Sequence, residues 1–147
     1  MNKNTIPSRS DIPAADKWDL SSLYISVEAW NEDLKNLEGE VETLAKCRGT
    51  LNNSDSLFRC LEAYKSCEMI AEKLGNYASL LKSGDESDSA NQEIFGRFMI
   101  LMVKAQTASS FFVPELQSIP EEELRKWIAE SRYGEYRVYI EKLLRLR

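Results

Sequence analysis

Residues 94–112 read IFGRFMILMVKAQTASSFF, and the spacing of the apolar side chains in this stretch predicts an α-helix. The main apolar row recurs every three or four residues, at Ile94, Phe98, Leu101, Ala105, Ala108 and Phe112. A second row (Phe95, Met99 and Met102) widens the apolar surface, and no charged residue occurs between Lys104 and Glu115. Such a helix is expected to lie centrally and to pack on several neighbours, with Met99 and Met102 filling core space.

Two amphipathic helices are predicted before this stretch. The first begins at Ser26 as N-cap and ends near Gly49, and its apolar stripe consists of Trp30, Leu34, Leu37, Val41 and Leu44. The second is capped by Ser54 or Asp55 and holds helical spacing almost to Gly84. A capping box at Ser89, with Gln92 three residues later, is expected to start the helix that contains the quoted stretch.

Two further helices are predicted after it. Pro114 indicates a helix stop, because proline inside a helix removes a hydrogen bond. A new helix is expected to begin with a capping box at Ser118, and a last apolar stripe follows Gly134. No run alternates with the two-residue period of a strand. The sequence therefore predicts an all-α fold, a bundle of long antiparallel helices joined by short loops.

The predicted organisation is one helical domain over residues 1–147. Residues 1–17 form an extended arm, since Pro7 and Pro13 both disfavour helix. Residues 18–113 form the bundle, and residues 114–147 begin the next helical region. Four apolar residues after the arm are expected to pin it to the bundle: Trp18, Leu20, Leu23 and Tyr24.

Composition excludes several classes of partner. The net charge of −5 argues against nucleic acid, which needs a basic stripe on the protein. The longest strongly apolar run, residues 98–103, is too short to span a membrane. The start has no signal-peptide core, and the three cysteines lack C-x-x-C spacing, so reduced thiols in a cytoplasmic protein are expected.

The residue inventory predicts no catalytic, cofactor-binding or metal-binding residue in this chain. Histidine is absent, which removes the most common metal ligand and general base. The acidic loop 83–88 lacks the ligand spacing of an EF-hand. Two acids, Glu93 and Glu115, border apolar stretches; each either caps or pairs within the fold or points into a functional cavity.

Three stretches, read in order, resemble the beginning of an oligoendopeptidase F, in the wider thimet-oligopeptidase-like family of zinc peptidases. They are residues 18–24 (WDLSSLY) followed by Trp30, residues 110–119 (SFFVPELQSI) and residues 136–147 (YRVYIEKLLRLR). Each motif alone is weak, because aromatic residues at helical spacing are common. Their order and spacing across nearly the whole chain carry the resemblance.

The resemblance implies a role in the hydrolysis of short peptides. Members run to several hundred residues, and their zinc-binding H-E-x-x-H helix lies far beyond residue 147, so no catalytic or metal residue carries over to this chain. The implied role is the N-terminal helical domain, which forms one wall of the substrate channel. Its implied partners are its own C-terminal catalytic domain, which supplies zinc, and short peptide substrates.

Two alternatives stay open. The wide apolar stripe 94–112 is also typical of a free-standing interaction module that binds a partner helix in an apolar groove. A coiled-coil oligomer is the third possibility, although wide aromatic stripes suit a globular bundle better. At the joint, residues 111–115, Phe111 and Phe112 are expected to anchor in the core and Glu115 to be held by a local donor.

Overall fold

The computed structural model describes residues 6–146, and the regular secondary structure among them is helical, with no strand. The predicted all-α class is confirmed. The α-helices are α1 (Val27–Ala45), α2 (Ser54–Gly84), α3 (Ser89–Ser109), α4 (Phe112–Ser118), α5 (Glu121–Ile128) and α6 (Arg137–Arg145). No helix in this range is long and apolar enough to cross a bilayer.

Side-chain caps fix where the three long helices begin. The Ser26 hydroxyl accepts a hydrogen bond from the Ala29 amide at 3.1 Å, as predicted. The cap of α2 is Asn53, whose side chain accepts from the Ser56 amide, and not Ser54 or Asp55. The cap of α3 is Asp88, one residue before the predicted Ser89. In both cases the observed N-cap is the residue next to the predicted one, and its short polar side chain is an equally good hydrogen-bond acceptor.

The three long helices pack against one another and form the bundle. The predicted apolar stripe of α1 is buried along its whole length. At its start, Trp30 is fully buried, and its indole Nε1 donates to the Leu74 carbonyl of α2 at 3.1 Å. This bond fixes α1 against the middle of α2 and satisfies the only polar atom of the indole.

Gly75 permits the close approach of α3 to α2. A Cβ atom at this position would lie 2.7 Å from Cζ of the Phe98 ring. Glycine inside a helix lowers the stability of the helix by about 1 kcal/mol relative to alanine. At position 75 the buried ring of Phe98 leaves no room for the Cβ atom of alanine, which explains the glycine.

The C-terminal helices lie against the first half of α2. Phe58 packs edge-on against Tyr133 and Tyr136, with ring centroids 5.5 and 6.1 Å apart. The Tyr136 hydroxyl donates to Glu62, and Lys65 forms a 2.8 Å ion pair with Glu135. These contacts place the third resemblance motif in the same cluster of buried residues as the bundle.

The arm is irregular, with 3-10 turns at Arg9–Asp11 and Ala14–Asp16. The Arg9 guanidinium donates to the Gly84 carbonyl at the end of α2 at 3.1 Å. Residues 1–5 of the predicted arm lie outside the described residues, and the boundaries at residues 17 and 113 stay predictions. The expected pinning by Trp18 is wrong, since its side chain is 65% exposed. The other three residues of this expectation are confirmed, since Tyr24 is buried against Tyr77 and Leu20 and Leu23 pack against the core.

Candidate functional site: the outer face of α3 and the α2–α3 groove

The joint between α3 and α4 differs from the prediction in where the helix breaks. The break falls at Ser110 and Phe111, and Pro114 lies inside the first turn of α4. Proline costs nothing there because its missing N–H would have no intrahelical partner. The predicted capping box at Ser118 is also wrong: Ser118 ends α4, and Pro120 is the N-cap of α5.

The joint is held by one carboxylate. Both oxygens of Glu115 accept a hydrogen bond from the Gly49 amide, at 2.7 and 2.9 Å. Gly49 has a φ of 74°, the left-handed conformation that glycine adopts most easily, three residues after the Lys46 cap of α1. A donor holds Glu115 as expected, but the expectation that this donor is local is wrong, because it is 66 residues away in sequence. Glu93, in contrast, is exposed on α3.

The apolar side chains of the joint anchor it as expected. Phe111 and Phe112 are both buried. The Phe112 ring stacks on Tyr64 of α2 with centroids 5.9 Å apart, and the Arg48 guanidinium lies 5.5 Å from the Phe111 ring centre. The joint therefore ties α4 to the connection after α1 and to the middle of α2.

The cysteines are free thiols, two buried and one partly buried. Burial raises the pKa of the Cys67 thiol to about 11, and the nearby carboxylate of Glu40 raises it further. Burial also raises the pKa of Cys60. Thiols that resist ionisation in this way are poor nucleophiles, so these two residues have the properties of small core residues and not of a reactive site.

One side of α3 is apolar and uncovered by the described residues. Met99, Ile100 and Val103 are 45%, 62% and 62% exposed, and we call these three residues the outer face of α3. The expectation that α3 packs on several neighbours is confirmed, since it packs on both α1 and α2. It is not enclosed on all sides, because the outer face stays exposed. Met102 packs against the core as expected. Met99, in contrast, is a surface residue and not core filler.

A groove runs between α2 and α3 beside this face. It consists of two adjoining cavities of about 370 and 470 Å³, which share the lining residues Glu68, Ala71 and Met102. Buried Leu37 and Leu44 of α1 line the first cavity, and Gly75 and Phe98 line the second. We call the two together the α2–α3 groove. Its floor is apolar, and its size suits a side chain or a short peptide segment.

The charged groups of the groove are all acidic. Glu68 and Glu72 lie one turn apart on α2, and no lysine or arginine lines either cavity. Burial raises the pKa of the Tyr64 phenol, and the adjacent Glu68 carboxylate adds to this effect. The nearby lysines of α2 are engaged elsewhere: Lys65 pairs with Glu135, and Lys73 lies 4.4 Å from the Tyr24 ring centre.

Sequence reasoning missed this groove. Glu68 and Glu72 interrupt the apolar pattern of α2 at a spacing of four residues, which is the one signal that the sequence contains. Across residues 6–146, no group of three or more histidine, cysteine or acidic side chains is arranged to hold a metal ion. The zinc that the resemblance implies therefore has no fitting set of ligands here.

Comparisons with known proteins agree with the sequence resemblance. No family model matches the chain. Oligopeptidase PepF of Bacillus subtilis is 31% identical over 131 residues, which is 87% of this chain. The chain is homologous to part of oligoendopeptidase F. The oligoendopeptidase F homologue of Borreliella burgdorferi is 26% identical over 94% of the chain.

A solved structure matches the fold of this chain. The helices superpose with a TM-score of 0.86 and 28% identity on a protein of Chlamydophila abortus to which a peptidase function has been provisionally assigned. That match covers 97% of this chain but 24% of the other chain. The chain likewise spans 19% and 23% of the length of the Bacillus and Borreliella relatives.

Proposed function

We propose that this chain is the N-terminal helical region of a peptide-hydrolysing protein and forms one wall of its substrate channel. The observation that carries the proposal is the homology, which covers most of this chain and about a fifth of relatives named as oligopeptidases or oligoendopeptidases. In this proposal, catalysis of the zinc-peptidase type belongs to a region that follows these residues. No step of the reaction is assigned to any residue described above.

The outer face of α3 supports the proposed arrangement. Met99, Ile100 and Val103 form an apolar surface on a helix whose opposite side is buried. Exposed apolar surface is where one structural element commonly packs on another, and the proposal assigns that role to these three residues. In the proposal, the catalytic region packs on the outer face of α3, and the adjoining groove borders the space through which peptides pass.

The rival function, a free-standing module that binds a partner helix, uses the same surface. The two proposals differ in what the complete gene product does. If the chain is a region of a peptidase, it functions only when it is joined to the catalytic region in one polypeptide. The complete gene product then hydrolyses short peptides. As a free module, the chain functions by itself and no product of the gene hydrolyses peptides.

The test is a cleavage assay with two samples, the complete gene product and residues 1–147 alone. We expect the complete product to cleave fluorogenic short peptides and to leave a folded protein substrate intact. We expect residues 1–147 to cleave neither. Absence of hydrolysis by the complete product, or metal-dependent hydrolysis by residues 1–147, contradicts the proposal.

A further inference from the structure

We infer that the α2–α3 groove binds a short peptide segment that carries a basic side chain beside apolar ones. The inference rests on the proposed function for the idea that the ligand is a peptide. The nature of the preferred side chain comes from the groove itself, from its apolar floor and its acidic rim.

The first step is the shape and polarity of the groove. The lining side chains at its base are apolar and buried: Leu37, Leu44, Ala71 and Phe98. The exposed lining residues include Met99, Val103 and Glu68, which border the opening. A floor of this kind takes the aliphatic stem of a long side chain, and methionines adapt to stems of different shape.

The second step is charge. Glu68 and Glu72 are exposed neighbours on one helix face, where like charges repel each other. Neither takes part in an ion pair within the described residues. A lysine or arginine side chain lying in the groove would place its stem on the apolar floor and its cation between the two carboxylates. An acidic side chain would meet only like charge.

The probe is a pair of blocked pentapeptides, Ala-Ala-Lys-Ala-Ala and the same peptide with norleucine in place of lysine. Norleucine keeps the aliphatic stem and removes the ammonium group. Binding is followed by NMR of ¹³C-methyl-labelled methionines in the 147-residue chain. Met99 and Met102 line the groove, whereas Met69 is 62% exposed, lines neither cavity and is the internal control.

We expect the lysine peptide to shift the Met99 and Met102 methyl signals and to leave Met69 unchanged. Exposed ion pairs are modest, so the lysine peptide should bind about five-fold more tightly than the norleucine peptide. The double variant Glu68→Gln/Glu72→Gln should remove this preference while keeping the weaker binding of norleucine. The control variant Glu38→Gln/Glu42→Gln removes two exposed carboxylates at the same spacing on α1, and it should keep the preference for the lysine peptide.

Three results would overturn the inference. The two peptides could bind equally, the methyl signals could stay unmoved by both, or they could shift with protein concentration alone, which would indicate a second copy on this surface. Because binding is measured without cleavage, the groove and the peptidase proposal fail separately. A basic-peptide groove with no hydrolysis by the complete gene product would reject only the proposed function.

Discussion

Replacement of Trp30 by phenylalanine tests the packing of α1 on α2. Trp30 is fully buried, and its indole N–H donates to the Leu74 carbonyl. Phenylalanine removes this hydrogen bond, worth about 1 kcal/mol net, and leaves part of the indole space empty, worth about 1 kcal/mol more. The carbonyl keeps its intrahelical partner, so no orphaned acceptor adds to the cost. The expected loss is about 2 kcal/mol of unfolding free energy.

The assay is urea unfolding of the 147-residue chain followed by helical circular dichroism. With a slope of about 2 kcal/mol per molar urea, the loss should lower the midpoint by about 1 M. The control is Trp18→Phe, at a side chain that is 65% exposed, which should change stability by less than about 0.5 kcal/mol. Both tryptophans belong to the same resemblance motif, but only Trp30 is buried. Equal losses of stability from the two substitutions would therefore refute the packing argument.

The other predictions concern the joint, the thiols and the response to alkali. Glu115→Gln should cost about 1 kcal/mol in urea unfolding, because the single N–H of Gly49 exchanges a charged two-oxygen acceptor for one neutral amide oxygen. Exposed Glu122→Gln should cost almost nothing, and equal losses would contradict the stabilising role of the hydrogen bond between Gly49 and Glu115. At pH 8, a thiol reagent should label Cys47 quickly and should label Cys60 and Cys67 only when the protein unfolds. The reason is that both thiols are buried and that burial raises the pKa of Cys67 to about 11. Rapid labelling of all three cysteines would contradict their burial. Burial and the hydrogen bond to Glu62 raise the pKa of the Tyr136 phenol, so its contribution to stability is full below the unfolded pKa of about 10 and is lost as pH rises further. Tyr136→Phe should therefore lose less stability between pH 9 and about pH 11 than the unchanged protein does, and an identical pH profile would reject this assignment.

Periodicity predicted the long helices well because each buries one stripe. The α1 stripe that begins at Trp30 is buried as predicted, and Ser26 caps the helix. The sequence predicts a helix stop at Pro114, whereas the structure places this proline in the first turn of α4. Proline is equally compatible with both positions, and the spacing of apolar residues does not separate them. The short helix α4 was missed for the same reason.

The candidate surface was less predictable than the helices. The width of an apolar stripe does not show which of its rows packs against another helix. The sequence therefore predicts a core position for Met99, although its side chain is exposed. The groove depends on how α2 and α3 approach each other at Gly75 and Phe98, a contact between residues far apart in sequence. The donor for Glu115, the Gly49 amide, is 66 residues away in sequence.

The most direct measurement of the central claim compares Ile100→Lys with Met69→Lys in the complete gene product. Both side chains are 62% exposed in helices, but only Ile100 belongs to the outer face of α3. In residues 1–147 alone, each substitution should change unfolding free energy by less than about 0.5 kcal/mol. In the complete product, Ile100→Lys should lower both thermal stability and peptide cleavage, while Met69→Lys should leave both unchanged. Equal behaviour of the two variants in the complete product would contradict a catalytic region that packs on the outer face of α3.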